Sequence, residues 1–135
     1  MDGGVMTAMK QAIHFKSTPS PRFRYTPCIK TGPFYEFSGM IGLGSDGKLA
    51  GGGVVGESRQ ILENLANALT EIGLTFDDMI VANIFTTRFD QFPEINKIWE
   101  EFIRPDIVPP ARTSIGVAAL PLNALVEMSF RFYRP

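Results

Sequence analysis

The chain has 135 residues, 44% hydrophobic and 20% charged, a size and balance that fit one compact domain and exclude a disordered chain. A formal charge of -1 argues against binding nucleic acid or an anionic membrane through bulk positive charge. One cysteine and one histidine exclude an intrachain disulfide and a Cys/His zinc site of four ligands.

The opening MDGGVMTAMK lacks the apolar core of a signal peptide, and no apolar run approaches the ~20 residues of a membrane span. Residues 1–10 are expected to be a flexible extension, 11–135 a single domain, and the protein cytoplasmic. Gln11–Phe15 reads as a short strand. Ser17–Arg24 (STPSPRFR) is a Pro/Ser loop, and Tyr25–Lys30 and Phe34–Ile41 read as strands rich in aromatic and β-branched residues. Gly44–Lys48 contains Asp-Gly, a hairpin signal, and leads through Leu49 into a glycine-rich stretch. Ser58–Gly73 is predicted helical, because Ile61, Leu62, Leu65, Leu69 and Ile72 recur on one face. Ser58 is its expected N-cap and Gly73 its left-handed end.

Met79–Thr87 reads as a buried strand. A second helix is predicted over Gln91–Ile103, with Asp90 as N-cap, Pro93 in the first turn and Phe92, Ile95, Trp99 and Phe102 on one side. Ala111–Leu120 and Leu125–Tyr133 complete the strands. In the last one Val126, Met128, Phe130 and Phe132 point one way, and Glu127, Ser129, Arg131 and Tyr133 the other. The order β-β-β-α-β-α-β-β predicts an α+β fold, a mixed sheet with two helices on one face. The other face meets water or another subunit.

Several signals have ordinary readings. Gly42-Leu43-Gly44-Ser45-Asp46-Gly47 fits G-x-G-x-x-G, but no helix starts there, so a turn is expected instead of a nucleotide site. His14 is expected to be a packed or surface histidine, and Cys28 a small core residue. Arg22-Phe23-Arg24-Tyr25 mixes basic and aromatic residues without a wider basic stripe, and reads as a solvated loop. The informative segment is Pro110-Ala111-Arg112-Thr113-Ser114-Ile115-Gly116, followed by Val126-Glu127-Met128. Arg112 and Glu127 are charges in otherwise apolar strands, and alternation puts Arg112, Ser114, Gly116 and Ala118 on one small-residued face.

This segment resembles the signature of the RidA/YjgF family of imine/enamine deaminases: Pro-Ala-Arg, small and apolar residues, then an aliphatic-Glu-aliphatic step. Phe37-Ser38-Gly39-Met40-Ile41-Gly42 resembles the family's Ser-Gly-Gln-Ile-Gly strand end, and the helices fall in the family's order, so the resemblance covers about residues 20–133. It implies a chorismate-mutase-like fold and a homotrimer with clefts between subunits. It also implies hydrolysis of 2-imino acids, or their 2-enamine tautomers, to 2-keto acids and ammonia, with no cofactor or metal. By the same resemblance Arg112 binds the substrate carboxylate and Glu127 positions the attacking water. Ser114 stands where many members have Cys, with a backbone carbonyl that holds the water. Tyr25, Ser38 and the Gly39 amide line the cleft.

Departures cluster at the expected cleft mouth. Thr26-Pro27-Cys28 follows Tyr25 where many members have a Gln, Asp90 stands where many have Asn, and Arg22-Phe23-Arg24 replaces a Gly-Pro approach. Arg22 and Arg24 would favour a substrate with a second acidic group. Two other functions are compatible with the family: a metabolite-binding or chaperone-like module without turnover, and an endoribonuclease or translation inhibitor. Geometry adds one expectation. If Leu120 and Leu125 closed a tight hairpin, Glu127 would lie opposite Ala118 and roughly 20 Å along the strand from Arg112. Either a bulge shifts that register, or a cleft draws Arg112 and Glu127 from different subunits; the second is expected.

Overall fold

The computed structural model describes residues 9–135; most of the expected 1–10 extension lies outside them. Six strands form one sheet: β1 (Gln11–Ile13), β2 (Cys28–Thr31), β3 (Phe34–Ile41), β4 (Met79–Thr86), β5 (Ala111–Gly116) and β6 (Val126–Tyr133). Helix α1 spans Gly53–Ile72 and α2 Phe92–Phe102. The strand order is β1-β2-β3-β6-β4-β5; only β4 and β5 pair in parallel. Element order and fold class are those expected from periodicity.

The core lies between the sheet and the two helices. Val126, Met128, Phe130 and Phe132 are buried, as alternation requires, and share one cluster with Ile61, Leu62, Leu65, Leu69, Ile95 and Trp99. Phe37 closes that cluster, its ring 5.4 Å from that of Phe132. Cys28 is fully buried beside it, and burial pushes its thiol up to about 12, so it is an unreactive core residue.

Three expectations are corrected. Helix α1 begins five residues before Ser58, which sits buried within it. Its start is made by glycines: Gly52 and Gly53 have φ of 95° and 67°, a left-handed region that a side chain disfavours. At Gly56 a Cβ would collide with the Gly51 carbonyl. Gly73 is the left-handed C-cap, as expected. Asp90 is not an N-cap: Gln91 precedes α2, and Asp90 lies in a 3-10 turn over Phe89–Gln91.

The third correction concerns topology. Strands β5 and β6 form no hairpin, because β4 lies between them. Strand β6 buries two phenylalanines and takes the sheet's centre, whereas β5 is largely exposed and takes the edge. The connection from Val117 to Leu125 crosses the end of β4. There the Thr86 hydroxyl and the Thr87 amide donate to the Leu125 carbonyl at 2.7 and 3.1 Å.

Candidate active site

The first half of the site forms on the helix-covered face. Arg112, Ser114 and Gly116 align with Ala82, Ile84 and Thr86 of β4, all fully buried, so they share that face. The Arg112 guanidinium carbon lies 5.5 Å from the Phe92 ring centroid and 5.2 Å from that of Trp99, cation-π contacts worth ~0.5–2 kcal/mol. Burial pulls the Arg112 pKa down, opposed by nearby Glu100; a guanidinium stays charged regardless. No carboxylate ion-pairs with it among the described residues, so its fork of donors is free. Phe89 stacks on Phe92 at 5.2 Å and would lie 3.3 Å from a Cβ on Gly116, a tight contact. Asp90 is exposed at this end, paired with Arg88 at 3.3 Å; that hydrogen-bonded pairing holds its carboxyl below the usual range.

The second half gathers around Glu127. Strand β2 pairs with β3 only as far as Phe37, and a bulge follows between Phe37 and Met40. The edge of β3 from Ser38 onward therefore meets the segment 18–27 instead of a strand. The Ser38 amide donates to the Pro27 carbonyl at 2.9 Å, and its hydroxyl to the Thr26 carbonyl at 2.5 Å. A cavity of about 640 Å³ opens along this edge. Tyr25, Ser38, Gly39 and Glu127 line it, with Phe23 and Leu122 among its apolar walls. The Glu127 carboxyl fills the space a Cβ on Gly39 would take. Burial pushes its pKa up, because desolvation disfavours the charged form.

Two residues escape a reading of the sequence. Glu57 is a buried carboxylate on α1 that accepts the Leu125 and Val126 amides at 2.8 and 3.4 Å, fixing the chain just before Glu127. Its helical periodicity with Val54, Ile61 and Leu65 was available in the sequence, but no spacing rule predicts its acceptors. Leu122 has φ 56° and ψ 27°, and Asn123 follows at φ 59°. With the Ala124 amide donating to Pro121, these two are the centre of a left-handed turn. Asparagine suits it; leucine there costs roughly 1–2 kcal/mol.

One chain does not bring the two halves together. Arg112 aligns with Ala82 and Glu127 with Phe85, three residues apart along β4 and on opposite faces of the sheet. The Glu127 cavity does not include Arg112. The hairpin considered above is absent, and so is its ~20 Å offset: through Phe85, Glu127 lies level with Ile115, about 10 Å along the strands from Arg112, and it is the opposite faces that keep the two charges apart.

The other signals are ordinary. Leu43 bridges Leu49 around the Gly44–Lys48 turn, and His14, Arg22, Phe23 and Arg24 are exposed. Among the described residues no group of three or more His, Cys, Asp or Glu is placed to hold a metal, and no helix is long and apolar enough to cross a membrane.

Comparison with known proteins identifies the family and supports the fold. The family model for Endoribonuclease L-PSP matches residues 15–131. A RutC family protein of Aquifex aeolicus is 35% identical over 117 residues, covering 86% of this chain and 93% of that one. The 2-iminobutanoate/2-iminopropanoate deaminase of Dermatophagoides farinae is 32% identical over 120 residues, 88% and 92% of the two chains. A crystal structure of a Rid family protein of unknown function from Yersinia pestis superposes with a TM-score of 0.86 at 30% identity, covering 92% of this chain and 98% of that one. Fold, motifs and relatives agree: the chain belongs to the RidA/YjgF family, whose model carries the description Endoribonuclease L-PSP.

Proposed function

We propose that the protein hydrolyses 2-imino acids, or their enamine tautomers, to 2-keto acids and ammonia, in a cleft between two copies of the chain. What carries this reading is the state of two charges. Arg112 is a guanidinium held by aromatic rings with its donors free, and Glu127 is a carboxyl with a raised pKa at an open cavity. A 2-imino acid offers a match for each: a carboxylate, and beside it an electrophilic C=N carbon.

In this reading Arg112 grips the carboxylate through two parallel hydrogen bonds. Glu127 orients a water and takes its proton as the oxygen bonds to the imine carbon. The C=N pair moves onto nitrogen, which is protonated, giving a tetrahedral aminoalcohol. The C–N bond then breaks with ammonia as leaving group, the hydroxyl loses its proton, and the C=O forms. A carboxyl whose pKa lies nearer neutrality serves both proton transfers. Tyr25, Ser38 and the Gly39 amide line the Glu127 side. Ser114 and Asp90 belong with Arg112, Ser114 through its backbone carbonyl. The helix-free sheet face is the surface through which copies associate, as a homotrimer.

The test is imine hydrolysis. An amino acid oxidase generates 2-imino acids in situ, and semicarbazide traps what survives. The wild type should deplete the trapped imine. Arg112→Ala and Glu127→Gln should each lose about 10²–10⁴-fold in kcat/KM. Glu127→Gln should still bind keto acids, which separates turnover from mere binding; undiminished hydrolysis in either variant overturns the reading. A ribonuclease would instead depend on Arg22 and Arg24, with binding that falls steeply with salt.

A further inference from the structure

The cavity beside Glu127 is larger and more apolar than a small imino acid requires. Its 640 Å³ lies within the ~300–1,000 Å³ of sites for much bigger ligands. A three- or four-carbon imino acid would leave most of it to water. Its apolar walls include Pro19, Phe23, Pro27, Met40 and Leu122. Phe23 and Leu122 are 80% and 49% exposed, large apolar surfaces left open at its lining.

Leu122 adds a second observation. The turn at Pro121–Ala124 needs a left-handed residue at position 122, where asparagine or glycine would sit without strain. Leucine is among the poorer choices for that backbone, and its side chain does not compensate by full burial. Strain of this kind at the lining of a pocket points to a role for the side chain itself.

We infer that Leu122 and Phe23 form an apolar subsite that selects 2-imino acids with bulky apolar side chains, of aromatic size. This rests on the hydrolytic reading of the same site and names its substrate class. With the carboxylate on Arg112 of a neighbouring copy and the reacting carbon at Glu127, the side chain extends into the part of the cavity lined by these residues. Arg22 also lines the cavity, with one guanidinium nitrogen donating to the Gly47 carbonyl at 3.5 Å, and Arg24 does not line it; the aspartate-derived imine below tests whether Arg22 makes this an acidic-substrate pocket instead.

The test compares imines generated from phenylalanine, alanine and aspartate. The wild type should favour the phenylalanine-derived imine over the alanine-derived one by at least about tenfold in kcat/KM. Leu122→Asn should cut that ratio about tenfold without lowering the melting temperature, since asparagine tolerates the left-handed turn. Phe23→Ala, at an exposed position that the fold does not need, should cut it in the same direction. A wild type that prefers the alanine- or aspartate-derived imine overturns the inference. So does Leu122→Asn with an unchanged ratio. If no imine is hydrolysed, the hydrolytic reading fails and calorimetry of keto acid binding decides the subsite. Phenylpyruvate at least tenfold tighter than 2-oxobutanoate, with the difference lost in Leu122→Asn, supports it; equal affinities overturn it.

Discussion

The two faces of the sheet hold their charges in different ways. On the covered face the Arg112 guanidinium lies against Phe92 and Trp99, so helix α2 orients its head. On the open face Glu127 has no aromatic clamp; it is placed by the absence of a side chain at Gly39 and by the anchoring of its strand through Glu57. A cation can be held by the ring faces that also form the core. A carboxylate gains nothing from ring faces, so this fold sets it in a gap beside the bulge of β3. The faces teach that one chain supplies two chemically complementary halves pointing away from each other.

The largest effect tests whether these halves meet between chains. Arg112→Ala and Glu127→Gln chains should each be inactive alone. Unfolded together in equal amounts and refolded, they should regain about one quarter of wild-type activity, the share of clefts that draw an intact Arg112 and an intact Glu127 from different neighbours in a closed ring. No recovery, with mixed oligomers confirmed by mass, would mean that each site uses one chain.

Next is Gly39, which sharpens the account of how the open face holds its charge. In Gly39→Ala the methyl falls where the Glu127 carboxyl lies. That carboxyl is the far end of a flexible side chain, so it moves and the fold stays. Activity should drop about 10–10²-fold, as for a reacting group misplaced by about 1 Å, while the urea midpoint barely shifts. A large loss of stability instead would show that Gly39 serves backbone packing.

Much of this contrast was legible beforehand, but not all. Alternation along Val126–Tyr133 put Glu127 away from the core, and alternation from Arg112 grouped it with Ser114 and Gly116. What the pattern lacked was which face β5 presents, because that depends on its pairing with β4. A hairpin between β5 and β6 looked natural from their closeness in sequence. It fails because β6, with Phe130 and Phe132 buried, takes the centre of the sheet. The start of α1 was hidden for a different reason: Gly51-Gly52-Gly53 has no side chains to show a period. The left-handed turn at Leu122 was hidden because leucine does not advertise it.

Glu57 offers a smaller effect, on stability. Removing its carboxylate in Glu57→Ala leaves the Leu125 and Val126 amides without their acceptor in a buried setting, at about 1–3 kcal/mol. Glu57→Gln keeps an acceptor oxygen and should cost less. Chemical denaturation at neutral pH measures both, and equal losses in the two variants would mean that packing, not hydrogen bonding, fixes the entry to β6.

The smallest expected effect carries the clearest sign. Burial raises the Glu127 pKa in the folded chain above the ~4.3 of an unfolded glutamate. Below that ordinary value both states hold the proton, and Glu127 is as well tolerated as glutamine. As pH rises through the raised folded pKa the unfolded state has already released its proton, so wild-type stability falls relative to a neutral side chain. Glu127→Gln should therefore match the wild type near pH 4 and exceed it at pH 7.5. The gain stays under about 1 kcal/mol, since Glu127 is still half-open to screening solvent. Urea midpoints at the two pH values decide it. A variant less stable than wild type at pH 7.5 would mean that the carboxylate has a cationic partner in the assembled protein, and would direct attention to the Arg112 of a neighbouring copy.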